Sequence, residues 1–167
     1  IKDYGGTSDF GKSVNVFVPS YLNLISPGSS SIEDSTSTSV FISHPVFQWS
    51  GDYCSNCSNY SIRIAEYNPN EHSSLEDAIN DISILPNETG FYDIGNQNTA
   101  FQYPVIGIQN LLPGKFYVWQ VKRSYEATYG TQDEISEIFI FKMKSFDDIQ
   151  FEDTSENEDI LNNIKQL

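Results

Sequence analysis

The sequence predicts an all-β antiparallel sandwich with one short inserted helix and an extension at each end. Three observations carry the prediction. Short runs rich in β-branched and aromatic residues alternate in hydrophobicity and are separated by Pro, Gly, Ser and Asn clusters. Apolar residues at helical spacing occur in the interior only between two such runs. Aromatic residues make up 14% of the chain, enough large side chains to fill the space between two sheets. With 167 residues, the chain buries roughly two thirds of its unfolded surface and needs no metal or disulfide framework to hold a core. The expected layout is an N-terminal arm over 1–19, a sandwich over 20–145 with an insertion at 68–100, and an acidic tail over 146–167.

Residues 1–13 are rich in Gly, Ser and Asp. Two β-like runs follow at 14–18 and 21–25, the first presenting Val14, Val16 and Val18 at period two. Residues 29–39 are mostly Ser and Thr and read as a loop or a poorly held edge. A strand follows from Pro45, with Phe47 and Trp49 on one face and the Pro at the start, where its missing N–H costs least. Tyr60, Ile62 and Ile64 alternate with Ser61, Arg63 and Ala65, the pattern of a strand with one wet face. A short helix is expected over 74–82, opened by a Ser73–Glu76 capping box and carrying Leu75, Ala78, Ile79 and Ile82. Short strands are expected at 91–94 and 100–103.

Residues 111–121 carry the most information. Pro113-Gly114 turns the chain into a strand that places Tyr117, Trp119 and Val121 on one face. Leu111 stands six residues before Tyr117, the spacing of a tyrosine corner, in which the hydroxyl of a buried ring reaches back to the preceding loop. The last strand, over 135–144, puts Phe139, Phe141 and Met143 on one face and Ile138 and Ile140 on the other, so something must cover the second face. The apolar residues of the acidic tail, Ile160, Leu161, Ile164 and Leu167, fall at near-helical spacing and are one candidate cover.

Leu24-x-Ser26-Pro27, Pro45-x-Phe47-x-Trp49, Tyr60-x-Ile62-x-Ile64, Leu111-x-Pro113-Gly114-x-x-Tyr117-x-Trp119-x-Val121 and the 136–141 run occur in that order. Together they resemble a fibronectin type III or related immunoglobulin-like module of large secreted and surface proteins of bacteria. The resemblance covers about residues 20–145 and departs from the family in its insertion and extensions. It implies a core of Phe47, Trp49, Tyr60, Ile62, Ile64, Leu111, Tyr117, Trp119, Val121, Phe139 and Phe141. It also implies an extracellular binding, spacing or assembly role, and it carries over no catalytic residue. In that oxidising setting Cys54 and Cys57 read as a small disulfide closing a loop. A redox pair would need a helix N-terminus, and a zinc site would need two more ligands with better spacing than His44 and His72 offer.

Other motifs weaken in context. G-x-x-x-x-G-K-S is matched at 6–13, but a phosphate loop needs a buried strand before it and a helix after it, and here a β-like run and Pro19 follow. Sequons at Asn56, Asn59 and Asn87 are expected by chance in an Asn- and Ser-rich chain. The tail carboxylates lack the alternating ligands and central Gly of a Ca²⁺ loop. No hydrolase elbow, paired metal-ligand helix or dinucleotide fingerprint is present, so the expectation is a protein without cofactor or catalysis.

A net charge of −14 disfavours phosphate backbones and anionic membrane surfaces, and no apolar run is long enough for membrane insertion. The expected function is a structural or adhesive module assembling with other copies or neighbouring domains through its terminal arms. The alternative is glycan or protein binding through Tyr92, Tyr103, Tyr125 and Tyr129.

Overall fold

The computed structural model describes residues 19, 21–36, 38–42, 44–95, 99–103, 108 and 110–145, with the side chain of Ser58 left aside. The predicted arm with Val14, Val16 and Val18, the 6–13 motif and the acidic tail lie outside the described residues. The described chain is a sandwich of two antiparallel sheets. Its strands are β1 (Leu22–Ser26), β2 (Val46–Gly51), β3 (Cys57–Tyr67), β4 (Tyr92–Gly95), β5 (Ala100–Gln102), β6 (Phe116–Ala127), β7 (Gly130–Ile135) and β8 (Phe139–Lys142), with one helix, α1 (Leu75–Ile79). One sheet has the order β1-β2-β5. The other runs β4-β3-β6-β7, and β8 continues the β7 edge along the first half of β6.

The core lies between the sheets and is mainly aromatic. Phe47 packs edge-on against Trp119 at 5.0 Å and against Phe141 at 5.8 Å between ring centroids. Trp49, Tyr60, Ile62, Ile64, Leu111, Tyr117 and Val121 are all buried in the same cluster, and Phe139 packs on its margin. Such tilted and edge-to-face pairs contribute about 0.5–1.5 kcal/mol each beyond area burial. The Trp119 indole N–H donates to the Pro27 carbonyl at 2.8 Å, which ties β6 to the turn after β1. The Leu112 backbone N–H donates to the Tyr117 hydroxyl at 3.0 Å, so Tyr117 clamps the loop that leads into its own strand.

From Tyr60 to Ala65 strand β3 has no wet face. Ser61, Arg63 and Ala65 are buried along with Tyr60, Ile62 and Ile64. The insertion lies over them. Ala65, Val118 and Ile140 form one row across β3, β6 and β8, and Ala78 and Ile79 of α1 pack onto it. The second apolar face of the last strand is therefore covered by the inserted helix. Farther along the insertion, Ile84 N–H donates to Ile64 O at 2.9 Å, and Ser83 bridges to Ala65, which occupies the free edge of β3 beyond β4.

Three local expectations are corrected. The cap of α1 is Ser74, whose hydroxyl accepts from Asp77 N–H at 3.1 Å, while the Asp77 carboxylate accepts from Ser73 N–H at 3.0 Å. The helix ends at Ile79, and Ile82 is 68% exposed, because Ser83 is already paired to β3. The last strand is two, since Ser136 breaks the ladder: its hydroxyl takes the Val121 N–H at 3.0 Å in place of a backbone carbonyl. The 29–40 stretch is partly held, with Ser29 paired to Ile140 and Val40 to Met143 along the outer edge of β8. Gly28, at φ +100°, permits that approach, since a Cβ there would strike the Ile140 carbonyl.

Ile79, buried in the last turn of α1, and Ile82, exposed just past its end, test which isoleucine of the insertion carries the packing. Ile79→Ala is expected to cost about 2–5 kcal/mol in urea unfolding, whereas Ile82→Ala should stay within about 0.5 kcal/mol. Equal losses at both positions would contradict α1 as the cover of the Ala65–Val118–Ile140 row.

Candidate functional site

The strongest cluster of charged chemistry lies at one end of the sandwich, around Arg123. By strand alternation Arg123 follows Tyr117, Trp119 and Val121 onto the inward face of β6, opposite Tyr60. Its side chain is fully buried, and it spans the two sheets. It donates to the Asp52 carboxylate at 2.7 Å, the Asp52 carbonyl at 2.9 Å, the Tyr21 carbonyl at 3.1 Å and the Glu134 carboxylate at 2.5 and 3.0 Å. A longer contact reaches the Tyr60 hydroxyl at 3.4 Å. Burial works to lower the Arg123 pKa, but the hydrogen bonds to Asp52, Glu134 and Tyr60 outweigh it and raise it, so the guanidinium stays charged. Gly51 leaves room for it, because a Cβ at that position would lie 2.8 Å from Nη1.

This staple supports two loops. After Asp52 the chain makes the Cys54–Cys57 disulfide, with Cα atoms 5.4 Å apart. Asn56 then docks on the end of β6: its side-chain amide donates to the Glu126 carbonyl at 2.5 Å, and Glu126 N–H donates back to Asn56 O at 3.1 Å. Beyond Glu126 the β6–β7 hairpin turns through Thr128-Tyr129. Tyr53 is 79% exposed and Tyr129 96% exposed, so two aromatic rings stand in solvent on neighbouring loops.

The other predicted binding tyrosines do not join them. Tyr103 is buried, with its hydroxyl pKa pushed up to about 12 by desolvation and the nearby Tyr117. Tyr92 is half-buried against Phe101 at 6.0 Å, and Tyr125 is also half-buried. Strands were expected around Tyr92 and Tyr103, but that reading could not say which face each ring would occupy.

A cleft of about 500 Å³ lies toward the opposite end, lined by Glu66, Leu85, Tyr103, Asn110, Lys115 and Tyr117 among others. Two of its charged groups, Lys115 and Glu66, serve each other. Lys115 contacts both Glu66 oxygens at 2.7 Å, and that hydrogen bonding raises the Lys115 pKa. His72 is committed to a turn: Nδ1 accepts from Asn68 N–H at 3.0 Å and Nε2 faces Asp81 at 3.1 Å. Buried Ser35, Ser83 and Ser136 donate to the Ile32, Ile64 and Glu137 carbonyls, so these hydroxyls are held as structural donors. Among the described residues no three His, Cys, Asp or Glu side chains converge as metal ligands, and no helix is long and apolar enough to cross a membrane. The sequon side chains Asn56, Asn59 and Asn87 each donate within the chain.

Sequence reading missed both arginines. Arg63 is buried under the insertion and donates to Asp81 O at 2.7 Å, and burial lowers its pKa against the pull of Asp81. Asp52 and Glu134 lie 71 and 11 residues from Arg123, separations with no local signature. The one available signal was a cation placed by alternation on an otherwise apolar face. No family profile, curated protein or solved structure matches the chain.

Arg123→Leu should cost about 3–5 kcal/mol, because it leaves Asp52 and Glu134 without their shared partner. Adding Glu134→Gln should recover part of that loss in urea unfolding, and strict additivity would contradict the pairing. On the same sheet, the Ser124 hydroxyl donates to Asp133 at 2.6 Å and, with Lys122, holds its pKa below the ordinary 3.8. A depressed carboxylate stabilises the fold above its unfolded pKa and loses that contribution as pH falls through the folded value. The urea midpoint should therefore drop on acidification below about pH 4, and Ser124→Ala should flatten the drop; an unchanged acid limb would contradict it.

Proposed function

We propose that this chain is a non-catalytic, fibronectin type III-like module of an extracellular protein, and that it assembles with further copies of itself or with neighbouring domains. The observation that carries the module assignment is the combination of sheet order and clamp. Three strands β1-β2-β5 face a sheet ordered β4-β3-β6-β7 and β8, and the Leu112 N–H to Tyr117 hydroxyl bond is the contact of a tyrosine corner. The Cys54–Cys57 disulfide is compatible with an oxidising exterior. Assembly is supported by the allocation of the polar groups: Arg123, Arg63, the Lys115–Glu66 pair and the buried serines all hold strands and loops in place. A second reading, glycan binding, is favoured by the exposed Tyr53 and Tyr129 on adjoining loops.

Sedimentation of the intact chain tests the first reading. With 14 net negative charges per copy, self-association should appear at high protein concentration and tighten as salt screens the repulsion. A monomer at every concentration and salt level would contradict it, as would association that weakens steadily with added salt. Under the glycan reading, Tyr53→Ala with Tyr129→Ala should abolish array signals; a silent array with the intact chain would remove that alternative.

A further inference from the structure

The outer face of the β1-β2-β5 sheet differs from the rest of the surface. Along these strands Leu22, Leu24, Phe47, Trp49 and Phe101 point inward, and a bulge after Leu24 sets Ser26 opposite Gln48. Outward stand Asn23, Ile25, Val46, Gln48, Ala100 and Gln102. Cross-strand register sets Asn23 opposite Ser50, Gln48 opposite Ala100 and Val46 opposite Gln102. Among the described residues this is a three-strand face without a charged side chain, in a chain where 32 residues are Asp, Glu, Lys or Arg. It is also open: Ile25 is 57% exposed, Val46 38%, and Tyr21, just before β1, 45%. Among the described residues the opposite sheet has no such face. Its outer side is covered by α1 and the 81–89 loop at one end, and carries Lys122, Asp133 and Glu126 at the other.

We propose that this uncharged face is the contact through which a second copy of the chain packs, sheet against sheet. The inference rests on the assembly reading above and names the surface that performs it. Two copies each carrying −14 repel wherever acidic surfaces meet, and contact through this face keeps charged side chains out of the sheet-to-sheet contact. A two-fold contact must also be complementary to itself. Carboxylates fail that requirement, whereas Asn and Gln amides both donate and accept and so can pair with their own copies. Ile25 and Val46 add apolar area beside the amides, and two sheet faces stack at about 10 Å. The face offers few large apolar side chains, chiefly Ile25 and Val46, so the pairing is weak and depends on concentration.

Asn23→Asp and Gln48→Glu each add a charge with almost no change of shape, and Gln48→Glu keeps the acceptor that Ser26 Oγ uses at 3.2 Å. In the intact chain, the double variant should weaken self-association by sedimentation at least about tenfold, a loss that like charges in a desolvated contact readily produce. Thr131→Glu, on the other sheet, should change it less than about twofold. Urea midpoints equal to that of the unaltered chain confirm folding. If the unaltered chain associates and the double variant associates equally well, this face is not the contact and assembly proceeds elsewhere. If the unaltered chain never associates, the assembly reading fails and takes this inference with it.

Discussion

Strand β6 buries Tyr117, Trp119 and Val121 on one side and Val118 on the other, and a strand with two apolar sides cannot lie at the surface of a two-layer sandwich without a third layer over part of it. The inward side is met by β2 and β8, through the Phe47–Trp119 and Tyr117–Phe141 ring contacts. The outward side is met by α1, which arrives from the β3–β4 connection. An insertion of that kind is thus a packing requirement of β6. Its tethering follows from the same need: Arg63, buried on the outward side of β3, holds the 81–89 loop by its backbone, which keeps the helix over the row it covers.

That constraint makes the two sheets unequal. The five-stranded sheet is covered for half its length and charged for the rest, while the three-stranded sheet keeps its outer face open, with uncharged amides beside the exposed Ile25 and Val46. The burial of β6 thereby determines which face of the molecule is left open. Arg123 closes the end of the core where the apolar pattern of β6 stops, and it does so by binding both sheets. A buried ion pair of this kind contributes little net stability relative to an apolar replacement; its value here is register, since the guanidinium fits only if Gly51, Asp52, Tyr60 and Glu134 are all in place.

How much of this could be read from sequence depended on whether the signal was local. Alternation located Phe47, Trp49, Tyr60, Ile62, Ile64, Tyr117, Trp119 and Val121 on the inward faces, because period two is fixed by the backbone. The Cys54–Cys57 bridge was expected from the oxidising setting that the resemblance implies, and the pair is bonded. Burial of the other face of β3 was not, since Ser61 and Arg63 look solvent-bound until the insertion is placed over them. Tyr103 looked available because its burial against Phe47 in the core joins segments far apart in the chain. The break between β7 and β8 depends on one hydroxyl replacing one carbonyl at Ser136, a substitution that leaves the apolar pattern intact. The two clusters that organise charge, around Arg123 and Arg63, join residues far apart in the chain and become visible only once the strands are paired.

The inequality of the two sheets is best tested by hydroxyl-radical footprinting of the intact chain, compared at low and high protein concentration under conditions where it associates. Exposed aromatic and aliphatic side chains react, and those entering a contact are shielded. Loss of reactivity at Tyr21, Ile25 and Val46, with Tyr53 and Tyr129 unchanged, is the expected result. Shielding of Tyr53 and Tyr129, with Tyr21, Ile25 and Val46 still reactive, would contradict it and move the contact to the loop end of the sandwich.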